Sequence, residues 1–343
     1  MQQATAALIL LLAAAPSALT QTPPPVIRST STLVLVPALI QSTSGDPIPE
    51  LRPEDLRLTD NGVEQTISLE HIEHQPLALV VLLQTGASAP RQFPNYTGLA
   101  AMLDNLVGTA PHKVSLVTFD SQPEKLWDFT ANLNDLAPAL KHPEPGNTGA
   151  ALNDAISYGI DLLEQQSPTA RRLLLLISQP HDIGSETSAK SLIERLGKTN
   201  VTVDTLTFSP EKTWLKDQFT KPRHENPPYQ MSPDHAPIIH TFDLGTPLGV
   251  ALNSMRTDTA AEIATLSGGQ HLTFTDQHTL EQQLLLLANQ IPNAYTLSFH
   301  PSSATPGLHQ LHIDVIHDGE PLKVAARNTY WSTAQPSGQR PPQ

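Results

Sequence analysis

The sequence predicts an α/β fold: a doubly wound, mostly parallel sheet flanked by helices, plus a small β domain formed from the N- and C-terminal segments. Three observations predict it. Between residues 76 and 292, apolar strand-like runs alternate with amphipathic helical segments, as a parallel sheet requires. Residues 31–75 show two-residue alternation around an Asn-Gly pair. Residues 293–332 return to the same alternation, so both flanks of the α/β unit supply strands that can pair with each other.

The chain begins with an apolar, small-residue stretch from Ala4 to Ala18, centred on Leu8-Ile9-Leu10-Leu11-Leu12. It suits a signal peptide over residues 1–21, although Met1-Gln2-Gln3 carries no Lys or Arg. The run is shorter than the ~20 residues of a membrane span, so an exported protein, periplasmic or secreted, is expected, with no transmembrane segment after cleavage. Residues 22–30 read as a Pro/Thr linker. From Ser31, Leu33-Val34-Leu35-Val36-Pro37 reads as a strand, and Asp60-Asn61-Gly62 joins Leu56 to Thr59 with Val63 to Leu69 as a hairpin.

Strands of the α/β unit are expected at 77–83, 114–119, 124–129, 172–178 and 201–207. Helices are expected at 149–165, with Leu152, Ile156, Ile160 and Leu163 inward, and at 188–196, with Leu192 and Leu196 inward. A further helix, 257–266, stops at Gly268-Gly269. Thr279-Leu280-Glu281-Gln282 has capping-box spacing and opens a helix that turns Leu280, Leu284, Leu287 and Ile291 inward. Residues 209–250 interrupt this order as an insertion without periodicity, rich in Pro and containing Trp214. After Pro292, the runs 295–299, 309–315 and 322–327 read as a β meander that pairs with residues 31–75, and residues 333–343 as a disordered tail.

Composition narrows the function. The 343 residues suffice for two domains at roughly 100–200 residues each. A net charge of −13 lacks the basic footprint of a nucleic-acid partner. With no cysteine, disulfides, thiol catalysis and cysteine zinc sites are excluded. No Gly-x-Ser-x-Gly, no phosphate-cradling loop and no dinucleotide fingerprint occurs. Ser178, His181 and Asp182 lie close in sequence, but a triad is made across a fold and not by adjacency. His309 and His312, three apart on a strand, point to opposite faces and are expected to be exposed; His71 and His74 have the same spacing. His224, His235 and His240 sit in the insertion, where loop composition outweighs a metal or hydrolase site. Asp154 and Asp204 are expected at a helix surface and a strand end, and Trp127 and Trp331 at core edges.

Several stretches together resemble the von Willebrand factor A (VWA)-related proteins of the acidobacterial type. They are Leu33-Val34-Leu35-Val36-Pro37, Leu56 to Gly62, the strand before Gln84, Val117-Thr118-Phe119, Gly146-Asn147-Thr148-Gly149 through Ile156, Leu175-Leu176-Ile177-Ser178, Ile263 to Gly269 and Val324 to Tyr330. The resemblance covers roughly residues 31–332, with 209–250 as an insertion, and implies a VWA-like fold.

In that family a metal-ion-dependent adhesion site uses Asp-x-Ser-x-Ser, a Thr from a second loop and an Asp from a third. The matching positions here are Gln84, Gly86 and Ser88, then Thr148, then Gln179. Two carboxylates and one hydroxyl are replaced, which removes the charge that a hard cation such as Mg²⁺ seeks. Asp182, shortly after Gln179, and Asp120, on another strand-end loop, are the candidate substitutes. The expectation is a degenerate site with no cofactor, in a non-enzymatic binding or scaffolding protein with a protein partner. The alternatives are metal-dependent adhesion through the residual site, or a hydrolase using histidines of the insertion.

Overall fold

A computed structural model describes residues 33–71, 75–208, 246–302, 305–316 and 321–333. The expected signal peptide, linker and tail, most of the insertion, Trp214, His74, His224, His235 and His240 lie outside the described residues.

The N-terminal strands are β1 (Val34–Gln41), β2 (Leu56–Asp60), β3 (Val63–Gln65) and β4 (Ile67–His71). Asn61 and Gly62 both take positive φ, 48° and 82°, which lets β2 and β3 fold back in a two-residue turn. The α/β unit then supplies β5 (Leu77–Gln84), α1 (Leu99–Val107), β6 (His112–Phe119), β7 (Pro123–Thr130), α2 (Ala137–Lys141), α3 (Leu152–Glu164), β8 (Arg171–Ser178), α4 (Ala189–Lys198) and β9 (Val201–Phe208). After the undescribed stretch come α5 (Pro247–Thr257), α6 (Thr259–Ser267), β10 (His271–Phe274) and α7 (Gln277–Gln290). The final strands are β11 (Tyr295–Phe299), β12 (Gly307–Val315), β13 (Lys323–Ala326) and β14 (Thr329–Ser332).

The central sheet has the order β10-β9-β8-β5-β6-β7, with only the edge strand β7 antiparallel. Counted from its own first strand, this is the doubly wound order 3-2-1-4-5-6. All eight residues of β5 are buried. Leu77, Leu79, Val81 and Leu83 pack toward α1 and α7; Ala78, Val80 and Leu82 pack toward α3. The expected inward residues of α3, α4 and α7 are buried. The fold is the expected α/β sheet with helices on both faces.

The flanking strands form two four-stranded sheets, β13-β1-β11-β4 and β14-β12-β2-β3. Their inner faces share one core, with Val36, Ile40, Leu297 and Phe299 from one sheet and Leu58, Leu311 and Tyr330 from the other. The C-terminal strands are therefore not a meander: β11 pairs with β1 and β4, while β12 pairs with β2 and β14. Arg327 ties this sandwich to the α/β unit. Its buried guanidinium donates to the carbonyls of Leu196 and Gly197 at 2.7 Å, Thr199 at 2.8 Å and Thr329 at 2.7 Å. Gly197 leaves room for Trp331, whose Cβ would lie 2.7 Å from an added methyl carbon.

Several local expectations are corrected. His309 is buried, not exposed, with Nδ1 2.7 Å from Asp60 Oδ1 and Nε2 2.7 Å from the Thr305 carbonyl; His312 is exposed on the opposite face. Trp127 is 42% exposed on β7 and not a core-edge residue. Asp204 sits inside β9, buried, and not at a strand end. The cap of α7 is Asp276, with Thr279 completing its capping box as the third helical residue, so the helix starts one turn earlier than expected. The last residues of the expected insertion belong to α5, which Thr246 caps and Pro247 begins. Among the described residues, no helix is long and apolar enough to cross a membrane.

Candidate functional site

In an open doubly wound sheet, the crevice at the carboxyl ends of the strands lies where the strand order reverses. Here that point falls between β5 and β8. Gln84 ends β5, and Gln179 directly follows β8, so the two glutamines flank the reversal point. Three loops surround them: 85–88, 146–149 and 179–184.

The glutamines face each other and are both buried. Gln84 Oε1 accepts from the Gln179 backbone N–H at 2.8 Å. Gln84 Nε2 donates to Gln179 Oε1 at 3.3 Å and to the Gly86 carbonyl at 3.0 Å. Ser88 Oγ also donates to Gln179 Oε1, at 3.1 Å, and Gln179 Nε2 donates to the His181 carbonyl at 3.1 Å. Every polar atom of both amides is thereby engaged, as burial demands.

Loop 146–149 is pressed onto Gly86. A Cβ added there would stand 2.3 Å from the Gly149 carbonyl oxygen, 2.7 Å from Asp120 Cβ and 2.8 Å from the Asn147 carbonyl oxygen. The loop is held by Ala87 N–H to the Asn147 carbonyl at 2.8 Å and by Gly146 N–H to the Thr85 carbonyl at 3.0 Å. Asn147 orders the loop from within: its Oδ1 accepts from Gly149 N–H at 2.8 Å, and its Nδ2 donates to Ser121 Oγ at 2.6 Å. Thr148 is exposed at the tip.

Both candidate carboxylates are occupied by backbone donors. Asp120 Oδ2 accepts from Asn147 N–H at 2.9 Å and its Oδ1 from Gln122 N–H at 3.2 Å. Partial burial pushes the Asp120 pKa up, but the N–H groups of Asn147, Gln122 and Ser121 outweigh it and hold the carboxyl below its ordinary range. Asp182 serves α3, whose N-cap position holds Ala151, a residue without a capping acceptor. Asp182 Oδ1 accepts from Asn153 N–H at 3.1 Å and from Ser185 Oγ at 2.5 Å.

Asp154 lies in the first turn of α3 but is more than a surface residue. It accepts from Glu186 N–H at 2.8 Å and Thr187 N–H at 2.7 Å, fixing the chain between the third loop and α4. Ser178 is buried and donates to the Gln179 carbonyl at 2.8 Å, while His181 is exposed; they form no catalytic pair. Among the described residues, no group of three His, Asp or Glu side chains is placed to hold a metal ion. The sequence did not reveal the roles of Asn147 and Asp154; the Asn-x-Gly spacing of a side-chain turn and an acidic residue in a first helical turn were the available signals.

No protein-family model matches the chain, and no curated protein matches it. Solved structures similar to it include an aerotolerance-related membrane protein from Bacteroides fragilis, at 15% identity over 62% of this chain and 98% of that one, with a TM-score of 0.39. Another is proximal thread matrix protein 1 from the mussel byssus with a zinc-occupied MIDAS motif, at 11% identity over 68% of this chain and half of that one, with a TM-score of 0.44. A third is the SpRpn10 VWA domain, at 11% identity over 61% of this chain and 93% of that one, with a TM-score of 0.37. The fold assignment rests on the strand order and directions given above.

Proposed function

We propose that the chain is an exported, non-catalytic binding protein that meets a protein partner at the carboxyl-end face of a VWA-like sheet, without a metal ion. The observation that carries this reading is the closed Gln84–Gln179 amide pair under a loop that fills the space above Gly86. The positions that resemble a metal-ion-dependent adhesion site are vestigial in this reading. Mg²⁺ seeks octahedral oxygen ligands, carboxylates among them. Here the amide oxygens are turned onto protein donors, Ser88 is spent on Gln179, both oxygens of Asp120 accept backbone N–H groups, and Asp182 accepts the Asn153 N–H and the Ser185 hydroxyl on Oδ1. The residues present do not fit a divalent cation.

A partner-facing role for the rim is supported by Ile183, which is 48% exposed on the third loop and is backed by two hydrogen bonds with Ala150. A rigid, exposed aliphatic residue costs little order on binding. The apolar segment at residues 4–18 supports export.

The test is a photo-crosslinking residue at position 183 of the full chain, expressed in its native host and exposed with and without EDTA. A discrete crosslinked protein that persists in EDTA is the expected result. A crosslink abolished by EDTA contradicts metal independence, and the absence of any discrete crosslink contradicts the face as a partner surface.

A further inference from the structure

The end of the sheet opposite the glutamine pair holds a second site. There the amino-terminal ends of β8 and β9 meet the outer side of β1 and β11 around a cavity of about 670 Å³, within the usual range for small-molecule sites. Leu35, Pro37, Leu39, Leu173, Leu287 and Ile291 give it apolar walls. Polar side chains line it as well, Arg171, Arg172, Asp204 and Gln290 among them, and the exposed Glu70 stands at its edge.

Their hydrogen bonding is incomplete. Gln290 is 4% exposed, and its Oε1 has no partner among the described residues; the buried Arg172 Nε has none either. Asp204 accepts one bond on Oδ1, from Gln270 N–H at 2.7 Å. Arg171 donates to the Ile291 carbonyl at 2.8 Å and attracts Asp204 without closing an ion pair with it. Buried polar groups normally have partners. This set calls at once for a hydrogen-bond donor, at Gln290 and Asp204, and for an anionic acceptor, at the arginines.

We propose that this cavity binds a small zwitterion with an apolar body, an apolar amino acid or dipeptide. Its ammonium group sits on Asp204 and Gln290, and its carboxylate on Arg171 and Arg172. Arginine suits a carboxylate because its planar fork donates in parallel. A cation beside Asp204 also relieves a carboxylate whose pKa burial pushes up to about 6, against the smaller pull of Gln270 N–H and Arg171. The surrounding aliphatic walls take the side chains of the ligand.

The experiment is isothermal titration calorimetry of the full chain at neutral pH with free leucine, leucyl-leucine and alanyl-phenylalanine. N-acetyl-leucyl-leucine and leucyl-leucine amide serve as capped controls. Saturable binding of at least one zwitterion is expected. Capping either end of leucyl-leucine should weaken it by about tenfold or more, the loss of one charge-assisted contact. Asp204→Asn keeps the acceptor for Gln270 and should weaken binding by about the same factor. Ala294→Phe, which places a ring in the cavity, should abolish it. Three results overturn the proposal: no binding of any zwitterion, equal binding of the capped forms, or unchanged binding by a folded Asp204→Asn chain. If Ala294→Phe fails to fold, Asp204→Asn and the capped ligands decide.

Discussion

Replacing Gly86 with Ala tests how firmly the candidate site is closed. The new methyl carbon would meet two carbonyl oxygens and one side-chain carbon, at 2.3, 2.8 and 2.7 Å. Two of the three obstacles are backbone, so no flexible side chain can swing away. Loop 146–149 must retreat, and its retreat strains three bonds: Ala87 N–H to the Asn147 carbonyl, Gly146 N–H to the Thr85 carbonyl, and Asn147 N–H to Asp120. At about 1 kcal/mol for each of the three strained bonds, the loss is about 3 kcal/mol. That agrees with the ~1–3 kcal/mol usual for overpacking. A loss of this size lowers Tm by about 6–12 °C at ~2–4 °C per kcal/mol. Urea denaturation followed by circular dichroism, together with a thermal melt, measures it. Gly86→Ser should cost nearly the same, because the clash begins at Cβ, and added Mg²⁺ should not restore it. A Gly86→Ala chain within ~0.5 kcal/mol of the parent, the range of an innocuous surface change, would refute the closed-loop reasoning.

Three further outcomes follow from the same structure. Arg327→Met should destabilise the chain by about 3–5 kcal/mol, since it strands the buried carbonyls of Leu196, Gly197 and Thr199 while removing one costly buried charge; a denaturant midpoint that does not move would contradict the clasp. Asp204 has its folded pKa raised to about 6 by burial, so the native state holds its proton more tightly than the unfolded chain, and this contribution to stability falls as pH rises from the ordinary carboxylate range through about 6. Asp204→Asn should therefore melt higher than the parent at neutral pH, by about 2–3 kcal/mol at most, with the difference shrinking toward pH 4, and melts across that window check it. Tyr330→Phe removes the hydroxyl that donates to Asp60 Oδ2 at 2.7 Å in the sandwich core and should cost about 1–3 kcal/mol, read from urea denaturation.

Much of the architecture was legible because it depends on local pattern. The seven-residue apolar run Leu77 to Leu83, too short for a typical buried helix, reads as a strand buried on both faces, and β5 is one. Asn61-Gly62 specified its own turn. Strand partners were not legible in the same way: alternation announces β11 and β12, but only tertiary packing sends them to different sheets. The start of α7 was misplaced because Asp276 and Thr279 are both good caps, and the choice between them lies in the preceding chain path. His309 was read as exposed because nothing nearby in sequence announces Asp60 and Tyr330 as its partners.

The candidate site divides along the same line. Gln84 and Gln179 could be placed at strand ends from the sequence alone, and the structure puts them side by side. The closure could not be read. It depends on loop 146–149 resting on Gly86, a contact between segments far apart in the chain. Asp120 and Asp182 looked like spare carboxylates for the same reason, since N–H groups of the distant residues Asn147 and Asn153 claim them. The opposite cavity left no sequence signal, because its polar groups come from β8, β9 and the end of α7.

A carboxyl-end face that works without a metal leaves the stability of the chain indifferent to divalent cations. The most direct measurement is a thermal melt of the parent chain in EDTA and in excess Mg²⁺, Mn²⁺ or Ca²⁺. An ion bound only by the folded state at a hundredfold excess over its Kd stabilises it by about 2.7 kcal/mol, which moves Tm by several degrees. The same Tm is expected in all four conditions. A rise with Mg²⁺ or Mn²⁺ that Thr148→Ala abolishes would contradict it.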